Sequence, residues 1–283
     1  MLVEIPDVML NDGYRIPTIG FGTVEILGNK GTLQILNAIQ SGYRLIDTST
    51  NYDNEGIVGK AVKNSGIPRD ELLISSKLPG KYHDFDSALK IIEEQLARTD
   101  LEYFDKYLIH WPNPDDGKYV EAWKALIQAQ KLGMILTIGV SNFLEHHLEK
   151  IIDETGVVPA TNQIEIHPYF SNKENVKANE KFGIITEAWS PLGRDINDAK
   201  QHPDIIEIGK KYNKSAPQVI IRWLHQRDIV PIVRSGDPIH QQENLNIFDF
   251  ELTDAEMEKI FSLDKGEEGR VEGQHPDEYH EYD

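Results

Sequence analysis

The sequence contains no cysteine among its 283 residues. This absence excludes disulfides, zinc-thiolate sites, iron–sulfur clusters and cysteine nucleophiles. Basic residues are also few, because 29 Lys and Arg stand against 47 Asp and Glu and give a formal net charge of −18. A chain this acidic repels phosphate backbones and anionic lipid surfaces at long range, so we expect neither nucleic acid nor a membrane as a general partner.

Long apolar runs are missing as well. None approaches the ~18 residues that a membrane span requires, and the opening MLVEIPDVML lacks the cationic start of a secretory signal. We therefore expect a soluble cytoplasmic protein, and without heptads or a conspicuous apolar stripe we expect a monomer. The 39% of hydrophobic residues suffices for a large core. No linker marks a boundary, so we expect one domain over residues 1–283.

Eight β-rich segments alternate with helical patterns along the chain. One of the helical patterns covers residues 86–98. Eight βα units predict an α/β fold of the (β/α)₈ (TIM) barrel type. A doubly wound sheet would require a glycine-rich phosphate loop, and the one candidate, at 20–25, ends in Glu25 instead of glycine. The eight strand-like segments are 17–22, 43–47, 72–77, 106–110, 135–140, 161–166, 184–189 and 229–233.

A turn sequence precedes the first of these segments. Alternating residues flank Asn11, Asp12 and Gly13, which favour a tight hairpin turn. We therefore predict an N-terminal β-hairpin that closes the bottom of the barrel.

Polar residues follow several of the predicted strands. Because strand ends converge on one pocket in a barrel, Asp47, Tyr52, Lys77 and His110 are expected to meet. Lys77 would then lower the pKa of the Tyr52 phenol, while Asp47 would keep the ammonium charged. His110 could orient a substrate oxygen. Two donors aimed at one oxygen suit a carbonyl that gains negative charge, and a hydride from a bound cofactor would complement them.

These four residues lie in motifs by which the chain resembles the aldo-keto reductase family over nearly its full length. The resemblance implies transfer of a hydride between NADPH and an aldehyde or ketone without a metal. Tyr52 would be the general acid, tuned by Lys77 and Asp47, and His110 would orient the substrate. The matching segments are GFGT (20–23), DTSTNYDNEGIVG (47–59), SKL (76–78), LIHWP (108–112), IGVSN (138–142), NQIEIHP (162–168), AWSPLG (188–193) and IVRSGDPIHQQEN (232–244).

The resemblance also implies a set of cofactor contacts. Trp189 would stack on the nicotinamide ring. Ser141, Asn142 and Gln163 would form hydrogen bonds with the carboxamide group of the nicotinamide. The remaining cofactor-binding residues would contact the ribose, the pyrophosphate, the 2′-phosphate and the adenine. They are Gly22, Thr23, Ser190, Pro191, Leu192, Ile232, Arg234, Ser235, His240, Glu243 and Asn244.

The chain departs from the family pattern at three positions. Arg234 replaces the usual lysine and keeps the charge, whereas His240 replaces an arginine and weakens one phosphate contact. We therefore expect NADPH to be preferred over NADH by a reduced margin. Val24 stands where a tryptophan is frequent, and together with Trp111 it is expected to contact the substrate.

Other interpretations stay open on the sequence alone. Glu165 and Glu187 could be the acid and base of a barrel glycoside hydrolase, and a cofactor-binding regulatory subunit would share the same motifs. His146 and His147 are adjacent, so on a helix they should face different directions and form a solvated helix start instead of a metal pair. The acidic tail, 265–283, is either a solvated terminus or, as in the resembled family, a lid over the pocket.

Overall fold

A computed structural model describes residues 3–194 and 198–281. The first two residues of the predicted domain and the last two of the tail therefore lie outside the described part. Eight parallel strands close into a barrel in the order β10-β3-β4-β5-β6-β7-β8-β9, which confirms the predicted fold class. These strands are β3 (Gly20–Gly22), β4 (Leu45–Asp47), β5 (Leu73–Leu78), β6 (Phe104–Ile109), β7 (Ile135–Ser141), β8 (Thr161–Glu165), β9 (Ile185–Trp189) and β10 (Val230–Val233).

The predicted hairpin is also present. Its strands, β1 (Asp7–Met9) and β2 (Arg15–Pro17), pair antiparallel around the expected turn. Ile16 is fully buried, and it belongs to a hydrophobic cluster with residues from the first positions of β4, β5 and β10. The hairpin therefore covers the N-terminal end of the barrel and leaves the opposite end to the loops after the strands.

Ten helices in the described chain surround the strands. The amphipathic pattern over 86–98 forms one of them, with one more residue at each end. Two others begin with capping boxes, formed by Ser215 with Gln218 and by Thr253 with Glu256, as their spacing indicates. The helices are α1 (Gly28–Ser41), α2 (Glu55–Asn64), α3 (Phe85–Thr99), α4 (Tyr119–Lys131), α5 (Glu145–Thr155), α6 (Lys173–Phe182), α7 (Pro203–Tyr212), α8 (Ala216–His225), α9 (Pro238–Leu245) and α10 (Asp254–Phe261).

None of the helices in the described residues is long and apolar enough to cross a bilayer. Their apolar faces pack on the barrel instead, where the large side chains of Trp123 and Trp223 are fully buried. The sheet and the helices together hold the strand ends in fixed positions around one opening.

Candidate active site

A cavity of about 710 Å³ opens at the C-terminal ends of the strands. The ends of seven of the eight barrel strands or the loops that follow them, together with the C-terminal tail, contribute to its wall. Most of the residues that the sequence nominated lie there, and those that line it are Gly22, Thr23, Val24, Asp47, Tyr52, His110, Trp111, Ser141, Asn142, Gln163, Trp189, Ser190, Pro191, Leu192, Ile232 and Arg234.

The structure brings the four nominated catalytic side chains together. Lys77 is 1% exposed, and its Nζ donates to Asp47 Oδ1 at 2.5 Å and to Tyr52 Oη at 3.4 Å. The ring centroid of His110 lies 6.1 Å from that of Tyr52 in an edge-on arrangement. A buried ammonium thus links a carboxylate to a phenol that faces the cavity.

Burial determines the protonation of this group. Desolvation raises the pKa of Tyr52 above its ordinary value, and the attraction of the phenolate to Lys77 only partly opposes it. The prediction of a lowered Tyr52 pKa was therefore wrong for the protein alone. Burial acts to lower the pKa of Lys77, but Asp47 and Tyr52 outweigh it and raise the value to about 12. The site holds a protonated phenol beside a charged ammonium.

A wall of amides and one indole faces the cavity on the other side. Asn142 has a left-handed backbone (φ 61°), which turns its side chain to donate to the His110 carbonyl at 3.0 Å and to accept from Trp189 Nε1 at 2.7 Å. Ser141 Oγ donates to the carbonyl of Gln163 at 2.7 Å. These bonds fix a flat aromatic side chain beside several hydrogen-bonding groups.

The rim carries a cation and a capped helix. Arg234 pairs with the exposed carboxylate of Glu25 and donates to the Val24 carbonyl at 3.2 Å. Asp237 caps α9 by accepting from the backbone N–H of Ile239 at 2.8 Å. Four nominated residues lie on this segment and not among the lining residues: Ser235, His240 and Glu243, which are partly or fully exposed, and Asn244, which is buried.

A family model described as the aldo/keto reductase family matches residues 18–265. The chain belongs to the aldo-keto reductase family. It is 42% identical over 263 residues to 2,5-diketo-D-gluconic acid reductase B of Corynebacterium sp. (strain SHS752001), covering 93% of this chain and 95% of that protein. It is 41% identical over 277 residues to morphine 6-dehydrogenase of Pseudomonas putida, covering 94% of each.

Solved structures also superpose on this chain closely. A mutant of Gox0644 in complex with NADPH matches with a TM-score of 0.92 and 36% identity, over 98% of this chain and 99% of that one. The Bombyx mori aldo-keto reductase AKR2E4 in complex with NADP matches with a TM-score of 0.89 and 30% identity, over 99% and 100%.

In this aldo-keto reductase the cavity also includes residues that the sequence motifs did not nominate. Arg194 lies outside the end of the AWSPLG motif, and its guanidinium carbon is 5.8 Å from the centroid of the Trp189 ring. Lys200, paired with Asp198 at 3.2 Å, completes the cationic side of the rim. Only the position of Arg194 directly after a motif could have singled it out.

The C-terminal tail supplies further wall residues. Tyr279 packs on Trp111 with 4.2 Å between ring centroids, and Glu281 reaches the ring of His110. Asn51, next to Tyr52, donates to the same Glu281 carboxylate. The sequence marked the tail as a whole but gave no signal for these two tail residues, because their contacts bridge about 170 to 230 positions.

The adjacent histidines differ from their prediction. The Nε2 atoms of His146 and His147 both approach Asp277 Oδ1, at 3.0 and 3.2 Å, and His147 is fully buried. Three such side chains could hold a metal ion by distance. However, Nδ1 of His147 accepts the Leu144 N–H at 3.2 Å, so the ring proton belongs on Nε2, the atom that a metal would need. The group therefore suits a contact between α5 and the tail.

The two glutamates of the hydrolase interpretation face away from the chemistry. Glu187 pairs with Lys106 inside the barrel, where both side chains are fully buried. Glu165 accepts the Val271 N–H at 3.0 Å and lies 3.1 Å from His167. Neither carboxylate lines the cavity, so the geometry offers no acid and base pair for glycoside hydrolysis there.

Proposed function

We propose that this aldo-keto reductase is an enzyme that interconverts a small aldehyde or ketone and its alcohol with NADPH, and that Tyr52 is the general acid. One observation carries the proposal: buried Lys77 reaches both Asp47 and Tyr52 from a single position. A structural relative was solved in complex with NADPH, and another with NADP, which supports the choice of cofactor.

The residues that line the cavity suit a dinucleotide. Its flat indole at Trp189 suits a nicotinamide ring, and Ser141, Asn142 and Gln163 suit the carboxamide. Bound NADPH supplies a hydride to the carbonyl carbon. Gly22, Thr23, Ser190, Pro191, Leu192 and Ile232 would surround the ribose and pyrophosphate, with Glu243 and Asn244 at the adenine.

The 2′-phosphate would meet Arg234, Ser235 and His240 on the rim. Arg234 is 44% exposed and its present partner, Glu25, is 72% exposed, so a phosphate can replace that carboxylate at little cost. A planar guanidinium binds phosphate through two bonds. Because His240 has replaced an arginine, we propose a preference for NADPH over NADH that is reduced but present; equal rates with both would contradict it.

Side chains of this protein would supply the proton that the carbonyl oxygen takes up. Tyr52 is protonated and donates its proton to the carbonyl oxygen as negative charge develops there. The Lys77 ammonium then stabilises the phenolate left behind, and Asp47 holds that ammonium in place. His110 orients the oxygen, while Val24 and Trp111 shape the substrate end. We also propose that one barrel domain acts as a monomer.

Replacement of Tyr52 tests this assignment. Tyr52→Phe keeps the ring and removes the proton, so turnover should fall by about 10²- to 10⁴-fold. The decrease in absorbance at 340 nm with a panel of aldehydes and ketones measures turnover. NADPH affinity, followed by quenching of tryptophan fluorescence, should change by about twofold or less.

Tyr279→Phe is the matched control, because Tyr279 lines the same cavity and contacts Trp111 through its ring. Turnover in that variant should stay within about threefold of the parent. Full activity in Tyr52→Phe would contradict the mechanism. Tight NADPH binding without NADPH oxidation by the parent across the panel would instead favour the regulatory subunit.

A further inference from the structure

The C-terminal tail places a carboxylate inside the substrate end of the cavity. Glu281 accepts hydrogen bonds from Asn51 Nδ2 at 2.7 Å and from the backbone N–H of Gly80 at 2.6 Å. It also pairs with Nδ1 of His110, and its side chain is only 3% exposed. The carboxylate is therefore a buried and partnered charge, unlike the exposed carboxylates of Glu268, Glu272 and Glu278 on the same tail.

Contacts along the tail hold this carboxylate in position. The ring of Tyr279, two residues before Glu281, packs on Trp111 at 4.2 Å. Further back, the Val271 N–H donates to the buried carboxylate of Glu165 at 3.0 Å. The tail is thus attached both at the pocket and at the barrel, and Glu281 forms part of the pocket wall.

Glu281 uses the donors that a substrate carboxylate would need. Asn51 Nδ2 and the backbone N–H of Gly80 already donate to it, and His110 Nδ1 pairs with it. A second carboxylate near these donors would meet a like charge with little water between them, and such repulsion amounts to about ten- to hundredfold in binding. A hydroxyl group, in contrast, can donate a hydrogen bond to Glu281.

We propose that Glu281 is a specificity-determining residue that restricts the pocket to uncharged carbonyl compounds, including hydroxylated ones, and excludes carbonyl acids. The proposal rests on the reductase function proposed above. Arg194 is the opposing influence, because its guanidinium lies over Trp189 in the same cavity and would attract an anion. Glu281 outweighs it, since Glu281 is buried whereas Arg194 is exposed to solvent.

Two substrates of nearly equal shape separate charge from size. We would measure kcat/KM for methyl 4-formylbenzoate and for 4-carboxybenzaldehyde with NADPH. The parent should prefer the ester by about tenfold or more. In Glu281→Gln the ratio of acid to ester should rise by about tenfold or more, mainly through the acid. Equal use of both substrates by the parent, or an unchanged ratio in the variant, would overturn the proposal.

Glu278→Gln is the matched control, because it removes one negative charge from an exposed position on the same tail. Its ratio should stay within about twofold of the parent. A binding measurement separates this proposal from the reductase function. Titrated by tryptophan fluorescence, benzoate should bind Glu281→Gln about tenfold more tightly than the parent, whereas benzamide should not change. That result would stand even if no variant reduced any carbonyl, and its absence would overturn the proposal.

Discussion

At the scale of single residues, the barrel interior holds an ion pair without access to water. Lys106 and Glu187 are both fully buried, and Gln163 donates to the same Glu187 carboxylate at 2.9 Å. Charges buried in this way lose their hydration, and only the partner and the hydrogen bonds offset that loss. Each member of the pair therefore depends on the other.

Removal of one charged side chain of this pair should destabilise the protein strongly, whereas removal of both should destabilise it only slightly. Lys106→Met leaves the Glu187 carboxylate unpaired and should lower the free energy of unfolding by about 3–5 kcal/mol. The double variant Lys106→Met with Glu187→Leu should regain most of that loss. Urea unfolding followed by circular dichroism measures both. Equal losses in the single and double variants would contradict the interpretation.

At the residue scale, the sequence predicts which side chains meet but not how deeply the fold buries them. The motifs placed Tyr52, Lys77, Asp47 and His110 together correctly, because a barrel brings strand ends to one opening. The direction of the Tyr52 pKa shift was wrong, since desolvation depends on how deeply the fold buries the phenol. Motif spacing carries no information on that depth.

At the scale of elements, α2 and α3 approach unusually closely at one glycine. A Cβ atom built on Gly59 of α2 would lie 1.8 Å from the carbonyl oxygen of Thr99 at the end of α3. Backbone cannot move away as a flexible side chain could. The packing of the helix that follows the Tyr52 loop thus requires glycine at this position.

Gly59→Ala should destabilise the protein by about 1–3 kcal/mol, because the added methyl group forces the two helices apart. Gly56→Ala is the control in the same helix, where the nearest atom to the new Cβ is 3.7 Å away. That change should be neutral or stabilise by up to ~1 kcal/mol through helix propensity. Thermal unfolding of both variants measures the difference, and similar melting temperatures would exclude the close contact.

Elements were predictable to the extent that local signals define them. All eight barrel strands lie within about three residues of their predicted segments, because β-rich runs bounded by polar residues mark buried parallel strands. The Asn11-Asp12-Gly13 turn likewise specified the hairpin. The burial of His147 was missed, since it depends on Tyr119 and Phe143 packing on its ring, at 5.4 and 5.7 Å.

At the scale of the whole molecule, buried titratable groups link stability to pH, and three of those in the described residues have pKa values shifted to between about 4 and 7. Burial lowers the pKa of His83 to about 4, and burial together with the neighbouring His146 lowers that of His147 to about 4. Burial raises the pKa of Glu55 to about 7, with Arg98 opposing it. The ordinary values are near 6.5 for histidine and 4.5 for glutamate.

The two histidines and the glutamate act in opposite directions as the pH falls. Below pH 6.5 the unfolded chain binds protons at His83 and His147, whereas in the folded protein these histidines stay neutral. The free energy of unfolding therefore falls as the pH decreases from 6.5 to 4. Glu55 binds its proton at a higher pH in the folded protein than in the unfolded chain. It therefore raises the free energy of unfolding as the pH decreases from 7 to 4.5. Each of these three shifts corresponds to about 3 kcal/mol, so the two losses exceed the one gain. Two other partly or fully buried groups oppose each other: the pKa of His225 is lowered by burial, which adds a loss, and that of Asp105 is raised by burial, which adds a gain.

We therefore expect the free energy of unfolding to decrease from pH 6.5 to pH 4.5, as measured by urea titration at several pH values. His83→Gln should flatten this decrease, because a neutral side chain replaces one that must stay unprotonated when buried. Glu55→Gln should steepen it, since the opposing proton uptake of the folded state is lost. Identical pH profiles in the parent and His83→Gln would show that His83 does not carry this linkage.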